Sequence, residues 1–363
     1  MKRMLAIAGF ALVACSQSQP VAVTTPATPS AASPTAAASP SQVTGSPLGN
    51  VDFSCRLPVV TSIPTADGID YQGGFITFPG AQFTPDPTGA ILFQSASSEF
   101  ATATAPVLLG SGGYPFYDRA QQRWVPGPAQ QSLADGSAYA YVNTVPQTNV
   151  STAYIVTVGT GQVRAFNVPA PQYPQVMDFG PAGVYLTAGS AMGGPGHGVW
   201  LLDPRTGTVK LLRDRPSVWA VRDGYAWVGR FDLRDKTVWQ PIEIAPLNSL
   251  VKVNLATGAE TIWFYQAGSF PWFVGLDSRS RPLVMFSVNG TNQVRLIDQV
   301  GSSGQLIRSG NGDINFSQAD GERLWFGSAE GIYLYRPQQV FQKVFAYAGL
   351  GNGSGIQPAG FCL

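Results

Sequence analysis

The chain of 363 residues is short of the groups that most catalytic sites use. It holds one histidine, three cysteines and charged residues at only 12% of positions. A histidine-based metal site or a Ser-His-Asp triad would rest on His197 alone, with no nucleophile elbow nearby. That residue sits in Gly193-Gly194-Pro195-Gly196-His197-Gly198, and no strand-then-helix pattern makes those glycines a phosphate-binding loop. Basic and acidic residues number 22 and 21, a balance that leaves no electrostatic footprint for nucleic acid. No segment offers about 20 uninterrupted apolar residues, the length of a spanning helix. Glycine (41), proline (29) and aromatics (11%) are what abound. Many short strands with tight turns fit that composition better than helices do.

Lys2 and Arg3 precede a short apolar run from Met4 to Ala14, which ends in Leu12-Val13-Ala14-Cys15. Positive charge, about 11 apolar residues and a small residue at the cut make an export signal. The end of the run resembles the bacterial lipobox, with Leu12 at −3, Ala14 at −1 and Cys15 at +1. That resemblance implies cleavage before Cys15 and diacylation of the cysteine. Residues 1–14 are then a signal peptide, and the mature chain is lipid-anchored at a cell membrane, facing the periplasm or the cell exterior. The alternative is an ordinary secretory signal that contains a cysteine. Cleavage removes two of the 22 basic residues and leaves 20 against 21 acidic ones.

If Cys15 carries lipid, Cys55 and Cys362 remain, one near each end of the folded part. An exported protein meets oxidising conditions, so these two are expected to form a disulfide, the alternative being two buried thiols. Residues 16–50 contain no charge, no aromatic and six prolines. They bury too little apolar surface to offset ordering, so residues 15–50 read as the lipidated cysteine plus a disordered stalk. Such a stalk reaches ~30 Å as a flexible coil and ~100 Å as polyproline.

From Val51 onward the chain repeats itself. Strand, Asp-Gly-type turn and aromatic strand recur over residues 133–141, 177–186, 220–229, 275–284 and 318–327. A second hairpin follows each, over 154–164, 199–212, 250–261, 294–307 and 332–345. Gly161, Gly207, Gly258 and Gly304 mark the later turns, at spacings of 46, 51 and 46. Periods of about 40–50 residues with four strands each point to a propeller, because one blade cannot bury both faces alone. These lines resemble the generic repeat of bacterial propellers of the YVTN, NHL and two-component-sensor kinds, over roughly residues 115 to 345. The resemblance implies architecture and says little of function. Residues 51–363 are therefore expected to form one all-β propeller of six four-stranded blades. The first blade would span Gly73 to Pro128, and a seventh arises if residues 51–70 and 346–363 complete another. Cys55 and Cys362 would then clasp the ring.

Connections between the two hairpins of a blade are expected on one face, over 142–153, 187–198, 230–248, 287–293 and 328–331. Loops on a rigid scaffold carry function more often than its tight turns do. The connection from Arg230 to Asn248 is richest, with Arg230, Asp232, Arg234, Asp235, Lys236, Trp239 and Glu243. It is the candidate lip over the central channel, or else a solvated insertion. Trp219, Phe270, Trp272 and Phe273 open innermost strands, where they line the channel mouth or pack between blades. Trp200, Trp227 and Trp325 read as core, and Asp135, Asp223 and Asp320 as turn residues rather than metal ligands.

The functional expectation is a monomeric, non-catalytic binding or scaffolding module without cofactor. It holds a protein, peptide or glycan on the connection-bearing face and no nucleic acid. The alternative is a propeller enzyme, a lactonase or lyase using Ca or Mg held by Asp232, Asp235 and Glu243. Resemblance to virginiamycin-lyase-like enzymes would imply a catalytic histidine on the channel, whereas His197 lies in a glycine-rich loop.

Overall fold

The computed structural model describes residues 45–47, 51–65, 68–91, 115–125, 127–145, 148–189, 196–232, 247–311, 314–337, 341–348 and 355–363. The signal peptide, Cys15 and most of the expected stalk lie outside these residues. Among the described residues there is no α-helix, only one 3-10 turn at Ala129–Gln131.

The strands run in chain order as β1 (Gly45–Pro47), β2 (Cys55–Thr65), β3 (Gly68–Phe78), β4 (Gln82–Ile91), β5 (Phe116–Asp118) and β6 (Arg123–Val125). β7 (Ala138–Val145), β8 (Val150–Thr157) and β9 (Val163–Val168) form a three-stranded sheet. Three four-stranded meanders follow. They are β10 (Pro174–Gly180), β11 (Gly183–Ala188), β12 (His197–Leu202) and β13 (Val209–Arg213); then β14 (Val218–Arg222), β15 (Tyr225–Arg230), β16 (Ser249–Asn254) and β17 (Glu260–Tyr265); then β18 (Trp272–Leu276), β19 (Pro282–Val288), β20 (Thr291–Leu296) and β21 (Gln305–Ser309). β22 (Ile314–Asp320), β23 (Arg323–Ser328), β24 (Gly331–Tyr335) and β25 (Gln342–Tyr347) repeat the meander, and β26 (Gly355–Pro358) ends the series.

One pattern recurs from blade to blade. The innermost strands β10, β14, β18 and β22 each carry a one-residue bulge, at Met177, Trp219, Val274 and Ser317. A bulge bends a strand and re-aims its side chains, so each blade turns the same corner at the channel. The second strands are buried on both faces: Val184, Leu186, Trp227, Leu283, Leu324 and Trp325 are at most 1% exposed. The outermost strands β13 and β21 instead expose Leu211 and Leu306. This radial gradient explains why strands two and three read as continuous apolar runs in the sequence.

Apolar clusters join each unit to the next. Val184 and Leu186 pack with Ala140 and Ile155; Tyr185 and Val199 with Val218 and Val251; Trp227 and Phe264 with Val284 and Phe286. Leu283 and Val294 meet Leu324 and Phe326, while Trp325 and Val344 meet Leu57, Ile76 and Phe78. Phe75 and Val60 then reach Tyr117 and Trp124, and Val125 reaches Tyr139 and Val156. The succession closes on itself, as a propeller requires. Gly73 and Gly89 admit the last contact but one: a Cβ at either would lie within 2.8 Å of an atom of its neighbours, Trp124 among them.

The ring closes as the seven-blade alternative has it, with segments of 51–70 and 346–363 in one blade, but that blade takes in more of the N-terminal region than expected. β26 pairs with β2 from Val59↔Pro358 to Ser62↔Gly355, and β2 pairs with β3 over its whole length. The C-terminal strand and three N-terminal strands thus make one blade. Residues 73–91, expected in a blade with 116–128, belong to this closing blade, because β2 offers β3 eleven residues of ladder. Hairpin β5–β6 represents a separate, seventh unit. Cys55 and Cys362 form the expected disulfide across the seam, with Cα atoms 5.4 Å apart. Residues 45–47, expected in the stalk, pair with β25 as an edge strand, using backbone groups that the edge leaves open.

Candidate binding face at the strand entrances

Tight turns such as Asp223-Gly224, with φ of 52° and 76°, link the first two strands of each blade on one face. The opposite face receives the entrances of the innermost strands and the connections between hairpins. Two of those connections are long, 189–196 and 231–248. The other expected ones are tight: β19 and β20 are joined by Asn289-Gly290 alone, whose φ values of 51° and 77° suit a two-residue hairpin. Residues 329–330 do the same between β23 and β24.

Aromatic side chains stand at three consecutive entrances. Tyr173 precedes β10, Trp219 occupies the bulge of β14, and Phe270 and Trp272 open β18. Trp219 lies against Gly229, where a Cβ would come 2.8 Å from Nε1, and its ring meets Trp272 edge-on at 4.9 Å. Phe270 meets Trp272 in turn at 5.9 Å. Phe273 packs with Trp219 inside the adjacent core, so it belongs between blades. Trp272 and Phe270 are each 41% exposed, and Tyr173 is 50% exposed. Trp219 and Phe273 therefore pack against their neighbours, while Phe270 and Trp272 are exposed to solvent.

Tyr173 is held in a conformation that bulky residues avoid. Its φ is 47°, and its hydroxyl donates to the Asn149 carboxamide oxygen at 2.7 Å. Asn149, at φ 55°, ends the β7–β8 turn, where its backbone N–H donates to the Val145 carbonyl. Holding a tyrosine at positive φ costs on the order of 1–3 kcal/mol, a strain that local contacts must offset. Spacing in the sequence contains no sign of this, because nothing local marks a tyrosine as left-handed.

Glu260 bridges Arg215 at 2.6 Å and Arg230 at 2.9 Å, and His197 Nε2 meets Asp214 Oδ1 at 2.8 Å. Arg230 and Asp232 stand at the start of the long connection, whose residues 233–246 lie outside the described residues. The Arg230 carbonyl accepts from the Asn248 N–H and the Ser249 hydroxyl, and the Asp232 N–H donates to Asn248 Oδ1 at 2.6 Å. Asp232 is buried. Arg234, Asp235, Lys236, Trp239 and Glu243 lie outside the described residues. Among the described residues no three His, Cys, Asp or Glu side chains converge as a metal site. Asp135 behaves as a turn residue, accepting from the Ser137 N–H and hydroxyl. Trp227 and Trp325 are core as expected, while Trp200 is half-buried.

Two features escaped sequence reasoning. One is a cleft of about 730 Å³ on the tight-turn side of the seam, lined by Ser54, the disulfide, Asp320, Glu322, Arg323, Arg336, Pro337 and Leu363. Its walls are mostly engaged: Arg336 bonds Asp52 at 2.6 Å, and Phe53 carries the Arg323 and Arg336 guanidinium groups over its ring. The other is Asp178 on β10, whose carboxyl is buried between two blades. Burial pushes it up to about 6, the charge of Asp223 adds to the rise, and Arg222 opposes it. An unfolded aspartate titrates near 3.9, so between these values the unfolded chain holds fewer protons than the folded one. Stability from this group is full below pH ~4 and lost as pH rises through 6. Asp178→Asn is therefore expected to raise the urea midpoint at pH 7.5 and leave it nearly unchanged at pH 4. The gain is at most ~3 kcal/mol for a two-unit shift, and equal midpoints at pH 7.5 would refute it.

No family model and no curated protein sequence matches the chain. Solved structures similar to it include TolB from Acinetobacter baumannii, at 12% identity and TM-score 0.42, covering 83% of this chain and 63% of that one. The β-propeller domain of the trilobed protease from Pyrococcus furiosus aligns at 10% identity and TM-score 0.40, covering 80% and 83%. An oligogalacturonate lyase from Vibrio parahaemolyticus aligns at 11% and 0.43, covering 86% and 84%. The chain spans less than two thirds of TolB. Similarity at this level says nothing of activity or ligand.

Proposed function

We propose that this chain is a lipid-anchored, extracytoplasmic propeller that binds its ligand without catalysis on the face where the innermost strands begin. The observation that carries the reading is the set of solvent-facing aromatics, Tyr173, Phe270 and Trp272, at entrances on a rigid ring. Exposed aromatic groups held on a scaffold mark interaction surfaces more often than they mark catalytic ones. His197, the one imidazole, is engaged by Asp214 at the surface. The disulfide between Cys55 and Cys362 suits a compartment that keeps thiols oxidised, which supports export. Attachment then comes from the lipid on Cys15, with residues 16–44 as spacer.

Two measurements test the two halves. Intact mass of the membrane fraction should show an N-terminal diacylated Cys15, and Cys15→Ala should move the protein to the soluble fraction. A secreted wild-type form with an unmodified Cys15 would end the anchoring half. Cross-linking on intact cells should capture a ligand or partner that Trp272→Ala no longer captures. Undiminished capture by that variant would end the assignment of the face.

A further inference from the structure

From the same face, and resting on the reading just given, we infer that the ligand is a neutral oligosaccharide whose rings stack on Tyr173 and on the Trp272–Phe270 pair. Three observations point to sugar rather than to a protein or a charged polymer. The aromatic rings are solvent-facing at the strand entrances of the β10 and β18 blades, 50% exposed at Tyr173 and 41% at Trp272. Flat, exposed rings suit the C–H faces of pyranose rings, which are apolar plates edged by hydroxyls. Protein hot spots instead sit in desolvated pockets, whereas Tyr173, Phe270 and Trp272 are 41–50% exposed.

Polar groups beside these rings match hydroxyls. Asn149 holds the Tyr173 hydroxyl, and the Gln175 amide lies beside Gly189 and the Tyr173 carbonyl. Carboxamides offer donor and acceptor together, which adjacent hydroxyls on a sugar satisfy in both directions. Glu260 bridges Arg215 and Arg230, and His197 meets Asp214, so each of these groups already has a partner.

The strain at Tyr173 gives the inference its sharpest form. An exposed tyrosine held at φ 47° contributes nothing to the core, yet its hydroxyl is fixed at 2.7 Å from Asn149. Such pre-orientation is explained if the ring is presented to a ligand, since a fixed platform loses less entropy on binding.

The test uses the full-length protein in detergent, titrated with cellohexaose, chitohexaose, maltohexaose, hexagalacturonate and a decaproline peptide, read by tryptophan fluorescence and calorimetry. At least one neutral hexaose should bind and shift the tryptophan emission. Trp272→Ala and Tyr173→Ala should each weaken it roughly tenfold, about 1.4 kcal/mol. Tyr173→Phe, which keeps the ring, should stay within about threefold of wild type. Thermal midpoints of all variants verify folding. Failure of every neutral hexaose, or binding that survives Trp272→Ala, overturns the inference. Binding of decaproline or hexagalacturonate through Trp272 with no neutral sugar bound also overturns the sugar class, while the binding-module reading survives.

Discussion

Replacing Cys362 by serine should lower the unfolding free energy by roughly 2–5 kcal/mol, among the largest losses available to one exposed-end substitution. The disulfide joins residues separated by 307 positions, so in the chain-entropy model it removes nearly as much freedom from the unfolded chain as any single bridge in this sequence can. It also stands where the two ends of the folded chain meet. β26 is a four-residue strand, held to β2 by a short ladder and to β23 by the single pair Ser328↔Ile356. Arg56 and Leu363 add two backbone bonds beyond the strand. Without the bridge, the closing strand keeps these bonds, those of Ala359 to Pro58 and Tyr117, and the packing of Ile356 and Phe361, but no covalent link. Because domains of this kind are stable by only about 5–15 kcal/mol, the loss should show as a clearly lower urea midpoint. Cys55→Ser and the double variant should cost about the same as Cys362→Ser, since either sulfur ends the same link. A double variant as stable as wild type under non-reducing conditions would refute the clasp. Reduction of the wild type by dithiothreitol should reproduce the variant's midpoint.

Much of this architecture is legible in the amino-acid sequence. The Asp-Gly turns and the later glycines sit at a fixed period, and backbone conformation at a tight turn depends on the turn residues themselves. Hence Asp223-Gly224 and Gly258 could be placed from sequence, and the strands between them followed. Closure was partly legible, because Cys55 and Cys362 bracket the repeat. The composition of the closing blade was not. Pairing of β2 with β26 joins residues about 300 apart, and nothing local in either strand names its partner. For the same reason Gly73 to Phe78 looked like the start of one blade and proved to be the middle of another.

The candidate face divides along the same line. Trp219, Phe270 and Trp272 stood out because aromatics at strand entrances are a local pattern. Arg230 and Asp232 stood out as charge in a long connection, but their roles are decided by Glu260 and Asn248 across the sheet. Tyr173 was not singled out at all. Its importance comes from a left-handed backbone and a bond to Asn149, 24 residues earlier, and neither leaves a trace in composition or spacing.

Trp227→Ala is the second large effect, expected to cost about 3–5 kcal/mol and to abolish folding in a background lacking the disulfide. Trp227 is 0% exposed on the second strand of its blade and packs with Leu250 and Phe264 on one side and Val284 and Phe286 of the next blade on the other. Its ring also meets Trp263 edge-on at 5.3 Å. Truncation would open a cavity at an interface between blades, where the backbone of both sheets is fixed by ladders and collapses poorly. Trp227→Phe should behave quite differently. The indole N–H is buried without a hydrogen-bond partner, and an unsatisfied donor carries a desolvation cost of about 1–3 kcal/mol. Phenylalanine forfeits some packing but removes that donor, so the two changes oppose each other and the net loss should stay below about 1.5 kcal/mol. Trp325, equally buried and equally without a partner for its N–H, provides an internal replicate at a different blade interface. Urea midpoints for the four variants decide the matter. If phenylalanine costs as much as alanine at both positions, the volume of the indole alone governs and the unsatisfied donor contributes nothing.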